Sequence, residues 1–342
     1  MLKFKGRLET VFTLLAPLSH IGKSHGPDSY LDTQDILDPD GKPVEVFVYH
    51  GNAWRGALRD AGAKYLLDIL GAGSSLRIPL QLFYLLFSGG SIGGDQSIDI
   101  EQAKRIREGL PLLSVFGGGV GNQLLPGKIS VGDAYPLSRE VQHLLPESLR
   151  NERAVSWRQM TTERSHSRKD DAKDNNLSTY LQTDEDVRLL EAEQSGGQLG
   201  LLDDPKPKTK AKSKSEKEDK PQQMRYTMEC LSAGSRLWQQ TSVQALTELE
   251  MGALVSAIHE WASAPYIGGQ TRIGFGLCAA DITWKPFGGE EEVFVKVHPS
   301  CLELGETAKQ SKAMYDDFLS QYTAYLNDNQ EGLVGLLAAA KG

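Results

Sequence analysis

Two places in this chain gather residues that can hold a polyanion. In GNAWRGALR, Arg55 and Arg59 stand one helical turn apart and so share a face of the helix predicted there. Asn52 is placed to cap that helix. Free N–H groups, the positive end of the helix dipole and two guanidinium groups then converge on the first turn, a recipe for holding phosphate. The second place is GGQTRIGFG, Gly268 to Gly276, where four glycines surround Arg272. One reading is structural: tight turns and close packing of a helix against a sheet. The other is a loop whose backbone N–H groups approach a ligand's phosphates while Arg272 adds charge.

The known nucleotide signatures are absent. No GK[ST] follows at Walker A spacing, and a helix before the glycines with a strand after them reverses the dinucleotide fingerprint. A loop packed over a sheet and touching a polyanion backbone fits better. Enzyme signatures are also missing: there is no GxSxG and no HExxH, and the histidines at 20, 25, 50, 143, 166, 259 and 298 are scattered. His259, on an apolar helix ahead of Trp261, reads as structural. Asp28, Asp32, Asp35, Asp38 and Asp40 crowd one early segment, but without the DxDxDG spacing and closing glutamate of a calcium loop. We therefore expect no metal and no cofactor.

The elements that must position these groups come from a 342-residue chain, long enough for one enlarged domain or two small ones. Its net charge of −8 suggests an acidic protein without nucleic-acid business, yet the total hides the distribution. Pro205 to Lys220 carries seven lysines against Glu216, Glu218 and Asp219, so it is +4 and the remainder is −8 − 4 = −12. Three cysteines with no CxxC argue against a disulfide framework and against a cysteine-rich zinc site, and point to a reducing cytoplasm. No apolar run nears the roughly 18 residues of a membrane helix, and the N-terminus lacks a signal-like apolar stretch. A soluble cytoplasmic protein with no membrane partner is the expectation.

Lys3 to Leu14 alternates and predicts a strand. SHGPDSYLDTQDILDPDGKP reads as a long loop with a turn at Asp40-Gly41, and VEVFVYH as a short strand. Helices are predicted over AWRGALRDAGAKYLLDIL and EQAKRIREGLPLLSVFG, the second ending at a glycine-rich stop, and IPLQLFYLLF reads as a buried element. KISVGDAYPL, MRYTMECLSAGSRLWQQTSVQA, LCAADITW and VFVKVHP read as strands, LTELEMGALVSAIHEWAS and the tail from Glu306 as helices. Between them, PKPKTKAKSKSEKEDKPQQ is low in complexity and has no large apolar residue. Two strand–helix–strand halves separated by an insertion predict an α+β, modified ferredoxin-like (RRM-like) core with large insertions. The expected organisation is a palm-like core from 1–145 and 224–300, a projecting thumb and flexible insertion at 146–223, and a C-terminal helical segment at 301–342.

Five blocks in order along the chain resemble the RAMP superfamily of CRISPR proteins. GGQTRIGFG resembles its C-terminal glycine-rich loop, and PLSHIGK its first-strand exit, where HIG is typical. YHGNAWRGALR resembles its GSSLKGxxR helix start, LLSVFGGG with GKISVGDAYP its LFG…GxLxVxDA block, and RQMTTERSHSRKD its IDRxT thumb segment. The match is to the backbone subunit that lines the guide RNA in type IV or type III effector complexes, type IV first because of the acidic body and large insertion. The resemblance implies RNA contacts from Lys23, His25, Asn52, Arg55 and Arg59, from Gly268, Gly269, Gln270 and Arg272, and from Met160, Arg164, His166 and Arg168 on the thumb. RNA held this way is read by backbone and shape rather than by sequence.

The partners so implied are the CRISPR guide RNA, the target nucleic acid by way of the guide, copies of the chain in a head-to-tail filament, and other effector subunits. LDTQDILDP resembles the IDxPVIxDP segment whose aspartate cuts target RNA in type III complexes; Asp32 falls on that place, with Gln34 where the pattern has proline. The expectation is a non-catalytic RNA-binding scaffold. The alternatives are a target-RNA nuclease using Asp32, a guide-processing endoribonuclease using His25, and a protein-binding module acting through the lysine tract.

Overall fold

The computed structural model describes residues 3–71, 78, 80–90, 100–120, 123–167 and 225–328. Arg168 and the lysine tract lie outside them. From the N-terminus run β1 (Phe4–Leu14), β2 (Ile21–His25), β3 (Asp28–Leu31), β4 (Thr33–Leu37), β5 (Pro43–Phe47) and helix α1 (Gly51–Gly71). Helices α2 (Leu80–Phe87), α3 (Ile100–Gly109) and α4 (Pro111–Phe116) follow, then β6 (Gly118–Val120), β7 (Gln123–Leu125), β8 (Ile129–Val131), β9 (Tyr135–Pro136) and β10 (Thr161–Ser167). The later part holds β11 (Arg225–Leu231), β12 (Arg236–Leu246), α5 (Glu248–Ala262), β13 (Cys278–Pro286), β14 (Glu292–His298), β15 (Cys301–Leu304) and α6 (Glu306–Asp328). The chain divides into a larger unit, Met1–Lys23 with Tyr30–Thr162 and Glu229–Gly342, and a smaller one, Ser24–Ser29 with Glu163–Met228.

The larger unit is built on an antiparallel sheet in which β13, β1, β12 and β8 are successive neighbours. In chain order these are β1, α1, β8, β12, α5 and β13, two strand–helix–strand halves whose strands interleave. This is the ferredoxin-like arrangement that the alternating patterns predict. β14 and β15 extend the sheet beyond β13, and β9 adds to β12.

Alternation along β1 sends Leu8, Phe12 and Leu14 to the helix-covered face, where all three are buried. The Phe12 ring meets Trp54 of α1 edge-on at 5.1 Å, and Trp54 meets Trp261 of α5 at 4.8 Å. These aromatic contacts join the sheet to both helices. On the other face Glu9 is 7% exposed and lies between Arg7 and Lys285, each 3.0 Å away, which offsets the cost of burying its charge.

Helix α5 starts where its sequence dictates. Thr247 accepts from the Glu250 N–H at 3.3 Å, and the Glu250 carboxylate accepts from the Thr247 N–H at 2.8 Å, a complete capping box. The same buried carboxylate takes both oxygens to Lys128 Nζ, at 2.6 and 2.7 Å.

Several local expectations change. The polar stretch from Ser24 to Pro43 is not one long loop: it holds the end of β2, all of β3 and all of β4, because adjacent strands and β11 supply main-chain partners. Asp28 and Ser29 run parallel to Thr227 and Met228 in the smaller unit, and Thr33 to Leu37 pair antiparallel with Phe47 to Pro43. The turn at Asp40-Gly41 is present: Asp38 Oδ1 accepts from the N–H groups of Asp40 and Lys42, and Gly41 adopts φ +81°. The helix predicted over EQAKRIREGLPLLSVFG is two, since Pro111 lacks an N–H and starts α4. The glycine-rich stop beyond it includes the β6–β7 pair. Residues 301–304 form strand β15, so helix begins only at Glu306. No helix among the described residues is long and apolar enough to cross a membrane.

Replacing Glu250 with alanine should cost about 1–3 kcal/mol, since it removes a capping partner and leaves Lys128 without its carboxylate. Glu250→Gln, which keeps the box, should cost less; urea unfolding of the two variants checks the order. Cys230 and Cys278 are buried and Cys301 is exposed, and burial pushes the Cys278 thiol up to about 12. A thiol reagent should label only Cys301 in native protein at neutral pH and all three cysteines in denaturant.

Candidate nucleic-acid interface

The glycine-rich loop packs as its structural reading requires, and its tip stays exposed. After α5, the Trp261 indole N–H donates to the Tyr266 carbonyl at 2.9 Å and holds the chain's exit from the helix. Gly276 N–H donates to Pro17 O at 2.8 Å, Gly269 N–H to Ser19 O at 2.7 Å, and Ile267 N–H to Gly276 O at 3.0 Å. The loop is thereby sewn onto the segment that leaves β1. Gly268 and Gly276 have φ of +75° and +79°, and a Cβ on Gly276 would lie 1.9 Å from Ile267 O. Only glycine fits there. The sewing leaves residues 269–274 exposed, with Gln270 left-handed at φ 59° and Thr271–Ile273 forming one 3-10 turn. Gln270 and Arg272 are thus presented to solvent from a rigidly anchored base.

Arg55 and Arg59 share a face as predicted, but their immediate partner is protein. Both Nη2 groups donate to the Phe116 carbonyl, Arg59 at 2.9 Å, and Arg59 also reaches Gly117 O at 3.3 Å. They cap the C-terminal end of α4, where cations complement unsatisfied carbonyls. Desolvation, and then the neighbouring Arg55 charge, lower the Arg59 pKa. The helix begins at Gly51, so Asn52 lies exposed within the first turn rather than capping it. The Gly51 N–H is instead bound by Asp133 Oδ1 at 2.7 Å. Nothing in local spacing reveals these partners, because Phe116 and Asp133 are distant in sequence.

The remaining predicted residues are dispersed. Lys23 is exposed on β2 in the larger unit. Met160 also belongs to the larger unit; it is half-buried, packs against the core, and its carbonyl accepts from Ser232 N–H at 2.7 Å, so it does not stand free as a wedge would. His25, Arg164 and His166 are exposed in the smaller unit, on β2 and β10. His25 therefore sits on a strand, not a loop.

One constellation escaped the sequence reading. Asp32 Oδ2 lies 3.0 Å from His50 Nε2, and His50 Nδ1 lies 3.5 Å from Asp133 Oδ1. His20 stands edge-on to His50 at 5.6 Å and to Tyr49 at 5.1 Å, and burial lowers its pKa. Asp32 is held by its main chain, its N–H donating to His20 O at 2.8 Å and its carbonyl accepting from Val48 N–H at 3.1 Å. These residues come from separate segments, so no motif marks them.

Comparison with known proteins identifies the family and the fold. The model of the RAMP superfamily matches residues 12–279. The chain belongs to that superfamily. Among solved structures, a chain of a "Type IV-B CRISPR Complex" superposes with a TM-score of 0.52 at 18% identity, covering 83% of this chain and 93% of that one. The likeness is one of fold. No curated protein matches the sequence.

Arg59→Ala should lower stability by about 1–3 kcal/mol, since it strips hydrogen bonds from the carbonyls of buried Phe116 and Gly117 at the end of α4. Arg272→Ala, at an exposed position, should change stability by less than about 0.5 kcal/mol. Thermal unfolding of the two variants separates a structural arginine from a presented one.

Proposed function

We propose that this chain is a backbone subunit of a CRISPR effector complex that binds guide RNA along its length. The observation that carries the reading is the exposed Gln270–Ile273 turn, sewn by main-chain hydrogen bonds to the β1 exit in a RAMP-superfamily fold. Such a turn offers one cation and a polar side chain from a base that does not have to be ordered on binding. Lys23 and Asn52, exposed in the same unit, extend the set of polar contacts; His25, Arg164 and His166 supply contacts from the smaller unit. Arg55 and Arg59 act here by holding the end of α4 against α1. The contacts are of the kind that read RNA by its backbone rather than by base identity.

In this reading the subunit is a non-catalytic scaffold. Copies join head to tail into a filament, as heterologous contacts that do not close require. The guide is then presented for pairing with a target, and further effector subunits complete the particle. Likeness to a chain of a type IV-B complex supports type IV over type III.

Expression with a guide array, purification at moderate salt and extraction of bound nucleic acid tests the proposal. A discrete RNA and a large particle are expected. Reversing Lys23 and Arg272 to glutamate should weaken RNA binding at least about tenfold and lessen the salt dependence by about one unit of slope per lost phosphate contact. A monomer free of nucleic acid in the presence of the other subunits would overturn the scaffold. Metal-dependent cuts in complementary RNA at regular spacing, lost with Asp32→Ala, would replace it with a nuclease.

A further inference from the structure

Two carboxylates flank one imidazole at the start of α1. Asp32 Oδ2 faces His50 Nε2 at 3.0 Å, and Asp133 Oδ1 faces His50 Nδ1 at 3.5 Å. A neutral imidazole has one N–H and can satisfy only one of them. Asp133 already accepts from the Gly51 N–H, which holds it on the Nδ1 side. A cation between Nε2 and Asp32 resolves the conflict: Nδ1–H then donates to Asp133, and Nε2 offers a lone pair. This is the carboxylate–histidine–metal relay that orients ligating histidines.

A third ligand stands nearby. One ligand atom from each of His20, Asp32 and His50 lies within 4.8 Å of the others. Ligands about 2.1 Å from a tetrahedral ion stand about 3.4 Å apart, so an ion would part the Asp32–His50 pair slightly from its 3.0 Å and draw His20 inward. The three come from fixed backbone. His20 follows Ser19, whose carbonyl takes the Gly269 N–H, and Asp32 packs so tightly on Gly22 that a Cβ there would lie 2.4 Å from Oδ1. The side chains of His50 and Asp32 are 43% and 28% exposed, which leaves an ion an entry path and room for water as a further ligand.

We propose that His20, Asp32 and His50 form a three-ligand site for a divalent first-row transition cation. Two imidazoles with one carboxylate suit zinc, cobalt, nickel or iron, whereas magnesium and calcium take oxygen ligands. Binding replaces the proton between Nε2 and Asp32. The ion ties the β1 exit, the β3–β4 junction and the start of α1 together.

The test uses the full chain after treatment with a chelator and dialysis. Cobalt should give a visible absorption band that saturates near one equivalent and is displaced by zinc but not by excess magnesium. Zinc should raise the unfolding temperature by several degrees. Asp133→Asn should weaken affinity about 10–100-fold. Asp32→Asn and His50→Ala should abolish both the band and the shift, while unfolding of the metal-free variants shows that they fold. If His50→Ala does not fold, Asp32→Asn decides. No band in the parent, or a band unchanged in the variants, would overturn the assignment, the latter showing binding at the scattered histidines instead.

Discussion

The main-chain hydrogen bonds from Gly269 and Gly276 to Ser19 and Pro17 are the constraint on which the candidate site depends. They join the loop before β13 to the residues leaving β1, and β1 and β13 are already neighbours in the sheet. The chain's two ferredoxin-like halves therefore meet at one corner. Everything that corner presents is set by this seam: the exposed turn carrying Arg272 on one side, and His20 on the other. Because the bonds are main chain to main chain, the seam demands glycine at its closest contacts and leaves the side chains of residues 270–273 exposed.

Charge in this protein divides into two populations. Glu9, Glu250, Arg55 and Arg59 are buried or half-buried and work on the fold, each matched by an opposite charge or by carbonyls at a helix end. Lys23, Arg164 and Arg272 are exposed and leave the fold unburdened. An acidic chain can carry a basic interaction face in this way, because net charge says nothing about which cations remain available once the core has taken its share.

What the sequence determined by itself was the set of patterns whose partners are near in sequence. Alternation marked β1 and β12; strand-like runs marked β13 and β14; apolar spacing marked α1 and α5; the glycines after Phe116 marked a stop; and ordered motifs marked the family. What only the tertiary structure decided was pairing over distance. The polar stretch from Ser24 to Pro43 holds strand because other strands supply its hydrogen bonds. Arg55 and Arg59 face the end of α4 because the fold brings Phe116 to them. Met160 packs inward because the core lies beneath it. The His20–Asp32–His50 cluster exists because three separate backbone segments converge. Local propensity acts over a few residues, whereas side-chain chemistry in a folded protein depends on neighbours that only the sheet topology brings together.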